Sequence, residues 1–203
     1  MDLDGLNITG VVLAGGLSRR MGFNKAQAQM HGRSMLIRMV DKLKELTPNI
    51  LVSSGSNAYP NILWPQILDE HLNCGPLGGI YSALKVSNTS LNLVVSCDMP
   101  LVSTSLLKLI VATAAAGNSL ITLPVDHNSE LQMMCAVYNK NILPILKKQI
   151  DSHSLKMKNL LNLGTVEYIQ ISKEHALYQE HAFMNVNNPC NLEEARMLWK
   201  NRQ

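Results

Sequence analysis

Between Leu13 and Lys25 the chain sets two adjacent glycines, Gly15 and Gly16, beside three cations, Arg19, Arg20 and Lys25. A glycine pair lets the backbone take positive φ and turn several N–H groups toward an anion. With Arg19 and Lys25 adding fixed charge and Leu13-Ala14 leading in, the segment has the makings of a phosphate cradle. It matches neither familiar phosphate loop. Gly22 is followed by Phe23-Asn24 instead of Lys and a hydroxyl, and the glycine pair is adjacent instead of spaced as Gly-x-Gly-x-x-Gly.

Asp98 directly follows the most apolar run of the chain, Leu91 to Cys97. A carboxylate just past a buried strand suits Mg²⁺, which takes hard oxygen ligands through one or two carboxylates plus substrate phosphates. A turn-capping aspartate before Pro100 is the plainer alternative. Asp69, in Asp69-Glu70-His71, reads equally as a ligand contact or as part of a solvated loop. Gly75-Pro76-Leu77-Gly78-Gly79 opens a helix where bare backbone can approach a flat purine or a ribose, or is an ordinary helix start with proline in its first turn. Asn185 and Asn187 carry both donors and acceptors, fit to orient a phosphate, or form a turn before the last helix.

These residues need a scaffold. Ile8 to Leu13 is a continuous apolar run, the pattern of a strand buried on both faces. Ser34 caps a helix with Met35, Leu36, Met39, Val40 and Leu43 at helical spacing, ended by Pro48. Strands are expected at 49–53, 66–69, 91–97, 120–124, 131–138 and 166–171. Helices are expected from Gly75 to about Val86, from Ser103 or Thr104 to Ala115, from Asn141 to Ile150, and from Pro189 with Leu192, Ala195, Met197 and Leu198 inward; Ser154 begins a short helical piece. Such alternation implies an α/β fold of three layers, α/β/α and Rossmann-like, around a mostly parallel twisted sheet. Ligands on such sheets bind beyond the carboxyl ends of the strands. Gly15, Asp69 and Asp98 are therefore expected on one edge.

At 203 residues the chain suits a single domain spanning 1–203. Its 46% hydrophobic and 16% charged residues exclude a disordered chain. The net charge of +3 fits a local anionic ligand better than a nucleic-acid polymer, although Lys147-Lys148 and Lys156 to Lys158 are mildly basic. No signal-peptide pattern and no bilayer-length apolar run is present, so no membrane association and a cytoplasmic location are expected. The four cysteines, Cys74, Cys97, Cys135 and Cys190, have no Cys-x-x-Cys spacing and read as reduced thiols.

Leu13 to Lys25 resembles the L-A-G-G-x-S-x-R-M-G-x-x-K signature of nucleotidyltransferases. Asp69 to Gly79, Cys97-Asp98-Met99-Pro100, Gln132 before Cys135 to Tyr138, and Asn185-Val186-Asn187-Asn188-Pro189 then follow in the order found in molybdenum cofactor guanylyltransferases, the MobA-like proteins. The resemblance implies a nucleotide-diphospho-sugar transferase-like fold and transfer of GMP from GTP to the phosphate of molybdopterin, with release of pyrophosphate. It also implies Mg²⁺ as cofactor, GTP and molybdopterin as substrates, molybdoenzyme maturation proteins as partners, and a monomer. Lys25, Arg19 and Asp98 would act in catalysis, Asp98 as the metal ligand. Leu13, Ala14, Gly15, Gly16, Lys25, Asp69, Gly78, Gly79, Asn185 and Asn187 would bind the nucleotide or the pterin. The same chemistry requires no general base, because the attacking phosphate is already anionic. A cytidylyltransferase for the same cofactor, a sugar- or alditol-phosphate transferase, and a non-catalytic nucleotide-binding regulator are the competing readings. The segment Asp151 to Lys158 departs from the family pattern, carrying lysines where an arginine fork would read a pterin. The polar loop Val125 to Glu130, with His127, has no family counterpart.

Overall fold

The computed structural model describes residues 5–15, 24–56 and 58–200. Gly16 and Arg19, together with Arg20, lie outside the described residues. In chain order the elements are β1 (Ile8–Leu13), β2 (Gln29–Met30), β3 (Arg33–Ser34), α1 (Met35–Lys44), β4 (Ile50–Gly55), β5 (Gln66–Leu68), α2 (Pro76–Val86), β6 (Leu91–Ser96), α3 (Thr104–Ala116), β7 (Ile121–Val125), β8 (Cys135–Asn139), α4 (Leu143–Asp151), β9 (Val166–Gln170) and α5 (Pro189–Lys200). The seven-stranded sheet has the order β5-β4-β1-β6-β8-β7-β9. Neighbours pair in parallel except at β8, which runs antiparallel to both β6 and β7.

The continuous apolar strands are explained by burial on two faces. Ile8 and Val12 of β1 point to one side, into a core shared with Leu36, Met39, Val40 and Leu43 of α1 and Leu106, Leu107, Ile110 and Val111 of α3. Val11 and Leu13 point to the other, against Leu77, Ile80 and Leu84 of α2, and this core continues to Ile142, Leu146 and Ile150 around α4. Layers of α1/α3, sheet and α2/α4 follow. Helix starts are fixed locally: the Ser34 hydroxyl accepts from the Ile37 N–H and the Ser103 hydroxyl from the Leu106 N–H.

Three local expectations change. The strand anticipated over 131–138 begins only at Cys135. Leu131 makes an isolated bridge to Val125, and the Cys135 N–H closes a turn on the Gln132 carbonyl. In α5 Leu192 and Ala195 are buried and Leu198 packs partly buried beside them, whereas Met197 is 64% exposed. The sequence reading also lacked the β2–β3 hairpin. His31 and Gly32 both take positive φ there, 48° and 76°, the requirement of the two-residue turn whose twist matches paired strands. With α5, this hairpin forms a third cluster around Met30, Met35, Leu101, Val186 and Leu192.

Candidate active site

The carboxyl ends of β5, β4, β1 and β6 open on one cavity of about 740 Å³. At one end lie Asp69 and Gly79; at the other, Lys25, Cys97, Asp98 and Asn185.

The charged end is held by contacts distant in sequence. Lys25 Nζ donates to Asp98 Oδ2 at 2.5 Å and to Asn187 Oδ1 at 3.4 Å. The Val186 N–H donates to the Asp98 carbonyl at 2.8 Å, which ties the 185–187 segment to the end of β6. Asp98 is 7% exposed, and its Oδ1 is buried without a hydrogen-bond partner among the described residues. Burying an unsatisfied carboxylate oxygen is costly, so an oxygen at a cavity wall that no described residue satisfies is an acceptor available to water, an ion or a ligand. Among the described residues no group of three or more His, Cys, Asp or Glu converges as a metal cage. The donor set is therefore one hard oxygen at the cavity wall, which fits an ion that arrives with phosphates and keeps its waters. Burial pushes the neighbouring Cys97 thiol up to about 12, so it stays protonated and is no nucleophile.

Lys25 is placed by a short 3-10 turn, Lys25–Gln27, whose cap is Asn24: its Oδ1 accepts from the Ala26 N–H at 3.0 Å. Beneath Asp98, Lys42 of α1 is buried and donates to the carbonyls of Pro100, at 2.6 Å, and Val102. Trp199 of α5 lies over Lys42 and Arg38, 5.2 and 4.3 Å from its ring centre. Lys42 looks like an ordinary solvated helix lysine in the sequence.

The other end is shaped by backbone. A Cβ on Gly79 would stand 2.6 Å from Ser53 Oγ, and one on Gly78 2.7 Å from the His71 carbonyl. Gly79 lines the cavity, whereas Gly78 is packed behind the wall. Gly75, the N-cap of α2, has φ 57° with Pro76 following in the first turn. Asp69 is fixed by its N–H donating to the Gly55 carbonyl at 2.8 Å, and its Oδ1 is buried without a partner among the described residues. Burial raises its carboxyl above the ordinary value, opposed by a hydrogen bond from Ser53.

The glycine loop needs a correction. Gly15 lines the cavity, but its φ is not positive and its N–H donates to the Ser53 carbonyl at 3.0 Å. That donor is spent within the sheet and does not face an anion. Glycine is required here because a Cβ would lie 2.8 Å from the Gly55 backbone. Leu13 lines the cavity; Ala14 is buried behind it, with its carbonyl taking the Tyr59 hydroxyl at 2.5 Å. Asn187 reaches the site through Lys25. The segment 151–158 lines neither this cavity nor its neighbour; Asp151 pairs with Lys147 on α4. The neighbouring cleft, about 210 Å³, is lined by the 126–132 loop and residues 171–185 and shares Asn185 with the main cavity.

A family model described as the MobA-like NTP transferase domain matches residues 10–168. The chain belongs to the MobA-like NTP transferase family. It is 32% identical to a probable molybdenum cofactor guanylyltransferase of Pelotomaculum thermopropionicum over 97% of this chain and 95% of that one. The fold of this MobA-like transferase matches that of molybdopterin-guanine dinucleotide biosynthesis protein A from Archaeoglobus fulgidus, with TM-score 0.83, 20% identity, and 95% and 99% of the two chains covered. It also matches 2-C-methyl-D-erythritol 4-phosphate cytidylyltransferase from Thermus thermophilus, with TM-score 0.72, 16% identity, and 94% and 98% covered. These likenesses bear out the nucleotide-diphospho-sugar transferase-like fold. No helix among the described residues is long and apolar enough to cross a membrane.

Proposed function

We propose that the chain is a molybdenum cofactor guanylyltransferase: it transfers GMP from GTP to the phosphate of molybdopterin, giving the guanine dinucleotide form and pyrophosphate. Near-full-length identity to a guanylyltransferase relative supports the activity. The observation that carries the site assignment is the two-ended cavity, with a carboxylate oxygen at each end that has no partner among the described residues.

The base and ribose belong over Gly79 and Leu13, where only bare backbone leaves room for a flat ring. Asp69, an acceptor held at the cavity wall, takes donors of guanine or ribose. The triphosphate runs toward Lys25, with Gly16 and Arg19 assigned to its outer phosphates on the sequence pattern. Asp98 would hold Mg²⁺, which supplies neutralisation of charge on the phosphates when bound. Lys25 neutralises charge at the same place, and Asn187 orients its ammonium. The acceptor phosphate attacks the α-phosphorus in line and pyrophosphate leaves. Alignment and charge stabilisation suffice, without a covalent enzyme intermediate.

The acceptor reaches the α-phosphorus past Asn185. The cleft lined by Gln132, His127 and Tyr178 is thus its place, instead of the 151–158 segment. Four free thiols, two of them buried, support a reducing cytoplasm, and maturation proteins for molybdoenzymes are the expected recipients of the product. The whole chain acts as one domain and as a monomer in this reading.

Purified chain with Mg²⁺, GTP and molybdenum-loaded molybdopterin should release pyrophosphate and form the dinucleotide cofactor. Release with CTP but none with GTP would make it a cytidylyltransferase and overturn the base assignment.

A further inference from the structure

Helix α1 carries two cations one turn apart on its buried side, Arg38 and Lys42, each 8% exposed. Both donate to backbone carbonyls of other segments. Arg38 reaches that of Met30 in the β2–β3 hairpin, and Lys42 reaches those of Pro100, at 2.6 Å, and Val102. Burying an ammonium is costly unless it is well bonded, so a lysine kept in that place needs a reason.

The reason lies in the turn it holds. Pro100 and Val102 are buried and belong to the short connection that carries Asp98 from β6 toward α3. The turn's own backbone bonds are long: the Met99 N–H to the Ser96 carbonyl and the Val102 N–H to the Met99 carbonyl are both 3.3 Å. Buried carbonyls need donors, and one ammonium with three N–H groups on a flexible stem closes on two of them at once. Bonds from a charged donor are also the stronger kind. A second brace comes from the C-terminal segment. The Val186 N–H holds the Asp98 carbonyl at 2.8 Å, and α5, starting three residues later at Pro189, returns Trp199 over the Lys42 ammonium.

We propose that Lys42 is a positioning residue for Asp98: its ammonium, bonded to carbonyls two and four residues beyond, fixes the turn that aims the carboxylate into the cavity. Lys42 does not line the cavity itself and acts through the backbone alone. Its loss should be felt by what depends on the Asp98 carboxylate, the metal and the phosphates it bridges, and not by the base wall of Gly79 and Asp69. The inference rests on the assignment of Asp98 to Mg²⁺.

The test is the affinity of the full chain for GTP with and without Mg²⁺, and for GMP without it, in wild type and Lys42→Met, by titration calorimetry. The expected result is a gain in GTP affinity on adding Mg²⁺ that is about three- to tenfold smaller in the variant, with GMP affinity unchanged. In turnover, kcat should fall about tenfold and half-maximal activity should need more Mg²⁺. In an Asp98→Ala background Lys42→Met should lower kcat little further, because no carboxylate is left to aim. If Lys42→Met does not fold, Lys42→Gln, with a neutral donor on a shorter stem, carries the comparison and should show a smaller loss of the same kind. A Mg²⁺ gain equal to that of wild type in a folded variant, a matching loss of GMP affinity, or fully additive losses of kcat would overturn the proposal. A wild type whose GTP affinity Mg²⁺ does not raise would overturn the metal assignment at Asp98 and this proposal with it, whereas one preferring CTP would overturn only the base assignment.

Discussion

The two ends of the cavity are built from different materials. At the base end the wall is backbone, Gly79 against Ser53 with Gly78 packed behind it against the His71 carbonyl, and toward the middle of the cavity Gly15 lies against Gly55, each too close for a Cβ. At the phosphate end the wall is long polar side chains, Lys25, Asp98 and Asn187, held by contacts between residues 73 and 162 positions apart. Shape recognition of a flat ring needs a rigid surface at fixed distance. Charge stabilisation needs groups that can exchange partners when an anion enters. Substitutions should therefore damage the base end through stability and the phosphate end through turnover, with the fold intact.

The largest effect is expected at Asp98. Asp98→Ala removes the carboxylate assigned to the metal and should lower kcat about 10³-fold, the scale of losing a group aimed at developing charge. Circular dichroism and the melting curve should remain close to wild type, because Lys25, 21% exposed in its side chain, can turn to water. Wild-type turnover in that variant would remove the metal assignment. Lys25→Ala should follow with about a 10²-fold loss of kcat. GMP affinity should be unchanged in it, measured by titration calorimetry; an equal loss of GMP binding would mean that the ammonium serves the base end as well.

Next come the glycines, where the damage should move to stability. Gly15→Ala forces a methyl onto backbone that cannot yield, and should cost about 1–3 kcal/mol in denaturant unfolding. Gly79→Ala meets the Ser53 hydroxyl first, with Leu13 Cδ2 next at 3.3 Å, so adding Ser53→Ala should recover part of its loss. Additive costs for Gly79→Ala and Ser53→Ala would show that the close contact is not what requires glycine.

The sequence made the two ends unequally legible. Strand runs and caps at Ser34, Ser103 and Pro76 are local patterns, and the elements they imply are present within a few residues. The rule that ligands lie beyond strand ends brought Leu13, Asp69 and Asp98 to one edge before any coordinates. Why glycine stands at 15 was not legible: its reason is the approach of β4's end, a tertiary fact that a phosphate-loop pattern imitates. Tyr59 and Lys42 were missed because their partners are backbone carbonyls, Ala14 on one side, Pro100 and Val102 on the other. A carbonyl leaves no trace in residue type. The antiparallel β8 was hidden for the same reason, since pairing direction is set by the 126–134 turn and not by the strand's own apolar run.

The smallest expected effect tests whether the base end tolerates a cost for binding. Asp69 has a carboxyl raised above 3.8, chiefly by burial, with Oδ1 unpartnered among the described residues. A raised carboxyl pKa means that the folded chain holds its proton more tightly than the unfolded one. The neutral form's contribution to stability is full below 3.8 and is lost as pH rises through the folded value, so at neutral pH the ionised group is a net cost. Asp69→Asn removes that charge and should raise the melting temperature by a few degrees at neutral pH. The gain should shrink as pH falls and wild-type Asp69 takes up its own proton. GMP affinity should drop in the same variant, because an amide offers one acceptor oxygen where the carboxylate offers two. Higher stability with weaker GMP binding would mean that this end trades stability for recognition, whereas a lower melting temperature would mean that the carboxylate is structural and that both ends are built to hold themselves together first.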